Sequence, residues 1–129
     1  MSNALVVYVD VDDTLIRTTG TKAVPVGGVA SHLRALASGG AVLYCWSSGG
    51  GDYARTVAEG LGLGDCFAGF LPKPHVLIDD QAVAEWRRLV QVHPAECGHW
   101  TAETYRRAVA GEKTDAEPRG ARGQGPPSA

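Results

Sequence analysis

Residues 5–15 read Leu5-Val6-Val7-Tyr8-Val9-Asp10-Val11-Asp12-Asp13-Thr14-Leu15. The uninterrupted apolar run, rich in β-branched and aromatic side chains, predicts a strand buried on both faces, as in parallel sheets. Three carboxylates follow at the tip of this strand, where crowding them is costly if the dielectric constant is low. A bound cation is the usual reason for such crowding, and aspartates in an oxygen-rich turn suit Mg²⁺. An acidic turn that only closes the strand is the alternative.

Later polar clusters also stand directly after apolar runs. They are Ser47-Ser48 with three glycines after Val42–Trp46, Lys73 between two prolines after Phe67–Leu71, and Asp79-Asp80 after Val76–Ile78. In a parallel sheet, strand ends of one polarity lie on one edge, and ligands of open α/β sheets bind there. These distant side chains are therefore predicted to converge.

The set, in this order, resembles the four motifs of the haloacid dehalogenase-like superfamily, most of whose members are Mg²⁺-dependent phosphatases. Its first motif, Asp-x-Asp-x-Thr-Leu, is matched by Asp10, Asp12, Thr14 and Leu15. The other three are matched by Ser47, with Ser48 as a second possible register, by Lys73, and by the pair Asp79-Asp80. The resemblance covers residues 4 to 110.

The resemblance implies a phosphomonoester hydrolase in which Asp10 is the nucleophile and forms an aspartyl-phosphate. Asp12 would protonate the leaving alkoxide and later deprotonate the attacking water. Ser47 and nearby N–H groups would bind a phosphate oxygen, and Lys73 would offset charge at the nucleophile and phosphate. As alternatives, Ser47-Ser48-Gly49 is a simple turn and Lys73 an ordinary surface lysine.

Mg²⁺ would be held, on the family pattern, by a carboxylate oxygen of Asp10, the carbonyl of Asp12 and an acid of the last motif. Asp80 is favoured as the direct ligand, with Asp79 acting through water or orienting Lys73. Asp13 is predicted to be a turn residue, because its side chain should point away from Asp10 and Asp12.

The alternation of strands and helices predicts an α/β fold, a three-layer sandwich with a central, mostly parallel sheet. Phe67–Leu71 and Leu89–Val92 are predicted outer strands, and Thr101 is predicted to cap the last helix. The resemblance adds a Rossmann-like core with strand order 3-2-1-4-5 and no cap domain. The interval between Asp12 and Ser47 has room only for a flap hairpin, Arg17–Val26, and one helix.

Composition sets further limits on the 129-residue chain. Residues 1–111 are predicted to form one domain, and residues 112–129, which lack aromatic and large aliphatic side chains, a disordered tail. A net charge of −2 does not indicate the excess of positive charge that proteins use to bind nucleic acid. No apolar run predicts a membrane span, and no secretory leader is apparent. Three unevenly spaced cysteines argue against a disulfide framework and favour a location in the reducing cytoplasm. A zinc site at His93, Cys97 and His99 would lack a nearby fourth ligand.

The expected activity is thus phosphomonoester hydrolysis. The alternatives are a phosphotransferase, a phosphatase acting on a nucleic-acid end or a protein, and a non-catalytic binding or assembly module. Without a cap the site should be open, so that the substrate itself or a second subunit of a homo-oligomer closes it. Substrate specificity would come from loop residues at the same edge, namely Thr18–Lys22, Trp46, Tyr53, Trp86 and His93–Trp100; the sequence does not identify the substrate.

Overall fold

A parallel three-stranded sheet forms the centre of the computed structural model, which describes residues 4–111. The predicted disordered tail, residues 112–129, lies outside the described residues. The elements are, in chain order, β1 (Val6–Asp10), β2 (Ile16–Thr19), β3 (Lys22–Pro25), α1 (Val29–Ser38), β4 (Val42–Ser47), α2 (Gly51–Gly60), β5 (Phe67–Pro72) and α3 (Ala102–Val109). Short 3₁₀ helices span Gly64–Cys66, Val83–Glu85 and Pro94–His99. The predicted α/β class is confirmed.

The sheet has the order β1-β4-β5, and both pairings are parallel. Asp10 is the register partner of Trp46, and Ser47 that of Pro72. The ends of all three strands therefore lie at one edge of the sheet, as the sequence predicts, with Asp10, Ser47 and Lys73 among the residues found there.

One face of the sheet carries the hydrophobic core. Val9, Leu43, Cys45 and Phe67 are buried against the apolar sides of α1 and α2. Helix α1 contributes Val29, Leu33 and Leu36, and α2 contributes Ala54 and Ala58, whose small side chains allow it to pack closely on β4 and β5.

The other face, which we call the aromatic face, carries Val6, Tyr8, Tyr44, Trp46 and Leu71. Val6 is 56% exposed and Tyr8 49%. Side chains alternate between faces along a strand, so the residues that do not face α1 and α2 stand on this side.

The flap hairpin is confirmed as an antiparallel pairing of β2 with β3, from Ile16 opposite Pro25 to Thr19 opposite Lys22. Gly20 has a φ of 63° in its turn, a conformation that glycine adopts without steric cost. The N–H of Val26 donates to the carbonyl of Leu15, which anchors the hairpin base to the core.

Helix α3 packs against α1. His32 and Tyr105 share a hydrogen bond of 2.8 Å, and the guanidinium of Arg106 donates to the carbonyl of Gly39 at 2.7 Å. Thr101 and Thr104 form a capping box at the start of α3, which confirms Thr101 as its N-cap. Within residues 4–111, no helix is long and apolar enough to cross a membrane.

Two apolar runs that were expected to be strands do not form strands among the described residues. Val76–Ile78 is irregular, with Ile78 94% exposed, and Leu89–Val92 is irregular as well. The first run has only three residues after Pro72 and Pro74, and prolines lack the N–H that a sheet ladder needs. In the second, the polar Gln91 interrupts the apolar residues. Too little apolar surface is buried in either run to offset the entropy of ordering it.

The predicted five-strand order and three-layer arrangement are therefore not seen among residues 4–111. The sheet there has three strands, and the hairpin β2–β3 is a separate antiparallel sheet. Helices α1 and α2 cover one face and α3 packs on α1, which leaves the aromatic face open.

Candidate functional site

Asp10 lies at the end of β1 with both carboxylate oxygens engaged. The ammonium Nζ of Lys73 is 3.0 Å from Oδ1, and the hydroxyl of Thr14 donates to Oδ2 at 3.3 Å. The side chains of Lys73 and Asp10 are 37% and 33% exposed. An ion pair this open to solvent adds only about 0–1 kcal/mol to stability. Its main effect is to hold a positive charge beside a carboxylate that solvent can reach.

The turn after β1 returns Thr14 to Asp10. The carbonyl of Val11 accepts hydrogen bonds from the N–H groups of Thr14, Leu15 and Ile16 at 3.1, 2.8 and 3.3 Å. Asp13 is exposed and has a φ of 63°, in the left-handed region that aspartate tolerates better than most residues. Asp13 is thus a turn residue, as predicted.

Asp12 is exposed and faces helix α2, where the hydroxyl of Tyr53 donates to its Oδ1 at 2.8 Å. This hydrogen bond, partial burial and the negative charge of Asp12 together raise the pKa of Tyr53. Tyr53 therefore remains a protonated donor at neutral pH. The sequence indicated Tyr53 only as an aromatic that could touch substrate. The position of Tyr53 in the first turn of the helix after β4 is the feature of the sequence that indicates a contact with Asp12.

Ser47 is buried and connects the strand ends. Its Oγ accepts from the N–H of Gly49 at 2.9 Å, and its carbonyl accepts from the N–H groups of Gly50 and Lys73 at 3.0 and 2.9 Å. The carbonyl of Ser47 therefore fixes the backbone from which the Lys73 side chain reaches Asp10. Ser48, the second predicted register, is exposed.

The glycines after Ser48 allow this loop to pack closely. A Cβ added to Gly49 would lie 2.9 Å from the ring of Tyr53, and one added to Gly51 would lie 2.9 Å from the carbonyl oxygen of Phe70. Gly50 has a φ of 105°. Glycine at these positions lets Tyr53 lie over the loop and point to Asp12.

The acidic pair Asp79-Asp80 lies in the irregular segment after β5. Asp79 and Asp80 are exposed, and the Oδ1 of Asp79 accepts from the N–H of Gln81 at 2.9 Å. Carboxylate and carbonyl oxygens are donors of the type that Mg²⁺ prefers. No three His, Cys, Asp or Glu side chains among residues 4–111 are grouped to hold a metal, but the predicted Mg²⁺ set needs only two side chains, those of Asp10 and Asp80, together with the carbonyl of Asp12. The contacts of the described residues link Asp10 to Lys73 and Lys73 to Ser47, whereas Asp79 makes its hydrogen bond within its own segment.

Cys45 lies in the core next to the site and is buried, as expected of a small core residue. Burial, with a smaller contribution from the charge of Asp10, raises the pKa of its thiol to about 11. The zinc alternative involves His93, Cys97 and His99. In this structure the ring of His93 accepts a hydrogen bond from the N–H of Ala95, and the thiol of Cys97 donates one to the carbonyl of Pro94.

Comparisons of this chain with protein-family models, with curated proteins and with solved structures found no match.

Proposed function

We propose that this chain is a Mg²⁺-dependent phosphomonoester hydrolase that forms an aspartyl-phosphate on Asp10. One observation carries the proposal: Lys73 lies 3.0 Å from Asp10 although the two are far apart in sequence, at the sheet edge where ligands of α/β folds bind. The order of the four motifs supports it. The resemblance to the haloacid dehalogenase-like superfamily is part of the same proposal.

Asp10 can act as a nucleophile at neutral pH because a carboxylate needs no separate base to activate it. An oxygen of Asp10 forms a bond to phosphorus, and the bond from phosphorus to the ester oxygen breaks. The leaving oxygen takes a proton from Asp12. Asp12 then removes a proton from water, the water oxygen attacks phosphorus, and phosphate leaves with Asp10 restored.

Four neighbouring residues support these steps. Thr14 holds the carboxylate of Asp10 in one orientation, and Lys73 offsets the negative charge that meets there. Tyr53 binds one oxygen of Asp12 and leaves the other to exchange the proton. Ser47 holds the loop whose N–H groups, with Ser48, would contact phosphate.

Mg²⁺ would supply further charge neutralisation at the phosphate, held by Asp10, the carbonyl of Asp12 and an acid of the Asp79-Asp80 pair. We propose that Val76–Ile78 pairs with the free edge of β1 in the active arrangement. The sheet would then run β5, β4, β1, Val76–Ile78 and Leu89–Val92, which is the order 3-2-1-4-5 when only the five predicted parallel strands are numbered in chain order. Among residues 4–111, β1 pairs with β4 alone, and Val76 and Ile78 are 75% and 94% exposed. This pairing would carry Asp79 and Asp80 toward Asp10.

The setting of the enzyme follows from the same features. Three free cysteines, two of them buried, support a cytoplasmic location. The exposure of Asp10 and Lys73 supports an open site that a phosphorylated substrate or a second copy of the chain covers.

The test is hydrolysis of p-nitrophenyl phosphate with and without Mg²⁺ by the wild type, Asp10→Asn and Asp13→Asn. Asp13→Asn is the matched control, because asparagine also tolerates a φ of 63°. We expect Mg²⁺-dependent turnover that Asp10→Asn abolishes and Asp13→Asn retains. Equal activity in wild type and Asp10→Asn would contradict the proposal.

The second candidate is a non-catalytic binding or assembly module, which is favoured by the exposed, irregular segment that carries Asp79 and Asp80. Absence of metal-dependent turnover across phosphorylated sugars, nucleotides and peptides would support the module. Transfer to an alcohol acceptor in place of water would instead identify a phosphotransferase, and a preference for phosphorylated DNA ends or phosphoproteins would identify the remaining alternative.

A further inference from the structure

The aromatic face meets the candidate site at Trp46. The ring of Trp46 lies 6.0 Å from the Nζ of Lys73, the atom that pairs with Asp10. Tyr8 packs edge-on against Trp46 at 4.9 Å between ring centroids, and Tyr44 lies 5.4 Å from Tyr8. Three aromatic rings thus form a continuous surface that begins at the ion pair.

This surface is open and is not part of the core. Tyr8 is about half exposed, Tyr44 and Trp46 are partly exposed, and the three do not belong to the buried cluster under α1 and α2. Gly69, the partner of Tyr44 on β5, lies beneath that ring, since an added Cβ would be 3.2 Å from it. A glycine here lets the ring of Tyr44 lie flat along the sheet.

A ligand that covers both parts needs two chemical features. The ammonium of Lys73 calls for an anion, and the rings beside it call for a flat aromatic group, which stacks on aromatic side chains. The Nζ of Lys73 and the ring centroid of Trp46 are 6.0 Å apart. One small molecule that carries both an anion and an aromatic ring can therefore reach both.

We propose that the leaving group of the substrate carries an aromatic ring that packs on Trp46 and Tyr8. The inference rests on the proposed function and narrows its substrate class to phosphomonoesters of aryl alcohols or of nucleosides. Trp46 is then a specificity-determining residue, and Tyr8 supports it from the side.

The first test measures binding, so that it does not depend on turnover. Calorimetry compares phenylphosphonate with methylphosphonate, which share the anion and are not hydrolysed. We expect phenylphosphonate to bind the wild type about 5- to 100-fold more tightly, the range that ring stacking gives. Trp46→Leu should remove most of this ratio without changing the affinity for methylphosphonate, and Trp46→Phe should keep much of it.

Val6→Ala is the matched control, because Val6 is also exposed on the aromatic face but stands at the opposite end of β1 from Asp10. It should leave the ratio unchanged. A ratio near one in the wild type, or an equal loss in Trp46→Leu and Val6→Ala, would overturn the inference.

Competition then separates the two sources of the ring. Displacement of phenylphosphonate by adenosine monophosphate but not by ribose 5-phosphate assigns nucleotides, and displacement by phosphotyrosine but not by phosphoserine assigns aryl esters. Equal displacement by all four overturns the inference. Failure of the proposed function gives a different result. If the protein prefers aromatic phosphonates in binding but hydrolyses no phosphomonoester, the aromatic binding surface stands and the proposed hydrolase activity is contradicted. If it hydrolyses phosphomonoesters with no aromatic preference in binding, the hydrolase activity stands and this inference is contradicted.

Discussion

Asp10 is the residue on which the contacts of the site converge, since Lys73 and Thr14 engage its two oxygens. Both contacts are only partly buried, so solvent weakens both as sources of stability. In a site closed by substrate, the same charges interact more strongly because water is excluded. The structure therefore predicts that mutations of the pair affect turnover far more than folding.

Replacing Lys73 by methionine removes the ammonium and keeps an unbranched apolar side chain. We expect the change to lower kcat/KM for p-nitrophenyl phosphate by about 100-fold and to change the free energy of unfolding by less than about 1 kcal/mol. Arg88→Met, at an exposed cation outside the residues expected to set specificity, is the matched control and should change neither. If Lys73→Met mainly unfolds the chain in a urea titration, the lysine has a structural role instead.

The reactivity of the Cys45 thiol measures how well the interior next to the site is protected from solvent. Burial raises its pKa to about 11, whereas an unperturbed thiol titrates near 8.5. We expect iodoacetamide at pH 8 to modify the half-buried Cys66 of the native protein well before Cys45, as measured by peptide mass spectrometry. In urea the two should react at similar rates. Because burial is the larger cause, Asp10→Asn should leave Cys45 protected; equal rates in the native protein would show that the strand opens readily.

At the scale of secondary structure elements, the success of sequence-based prediction depends on how much apolar surface each element buries. Strand β1, the hairpin and the cap of α3 were predictable, because periodicity, turn chemistry and capping residues act locally. Val76–Ile78 is apolar as well, but a run of three residues followed by two carboxylates buries little surface here. The contact between Lys73 and Asp10 was predicted from the sheet edge they share. The contact between Tyr53 and Asp12 was not, because it depends on how α2 lies across the glycine loop.

The capping box of α3 offers a test of local stabilisation. The side chain of Thr101 accepts from the N–H of Thr104, one of the donors that a helix start leaves unpaired. We expect Thr101→Ala to lower the free energy of unfolding by about 1 kcal/mol in urea titrations. Thr56→Ala, at an exposed position inside α2, should be neutral or slightly stabilising, because alanine has the higher helix propensity. An equal effect of the two substitutions would show that the cap contributes nothing.

The contact of α1 with α3 predicts a dependence of stability on pH. Burial lowers the pKa of His32, which shares a hydrogen bond with Tyr105. The unfolded chain therefore binds the proton more readily than the native protein. This contribution to stability is complete above the unfolded value near pH 6.5 and is lost as the pH falls through the lowered native pKa.

Urea midpoints at pH 5, 6 and 7 measure this dependence. We expect His32→Gln to flatten the loss of stability on acidification, because glutamine does not titrate. His99→Gln, at an exposed position, is the control and should keep the wild-type profile. A profile that is identical in all three proteins would assign the acid sensitivity to other groups.

At the scale of the whole molecule, the described domain is asymmetric. Helices cover one face of the sheet, whereas the aromatic face and one edge of β1 are open. Between β5 and the 3₁₀ helix at Pro94–His99, the chain exposes Val76, Leu77 and Ile78. An unpaired strand edge and an exposed apolar segment are both unfavourable in water. Their pairing would remove both and would add the acidic pair to the site, so metal binding and folding of this segment should be coupled.

Hydrogen exchange measures that coupling directly. On addition of Mg²⁺ with orthovanadate as a phosphate mimic, we expect the amides of residues 76–80 to exchange at least about tenfold more slowly, because they enter the ladder beside β1. Asp80→Asn should reduce this protection and Asp13→Asn should not, since only Asp80 belongs to the proposed ion site. Protection that is unchanged by Mg²⁺ in a catalytically active protein would show that the three-stranded sheet is itself the working state. The acidic pair would then have no part in catalysis, and Asp10, Asp12 and Lys73 would hold the phosphate without it.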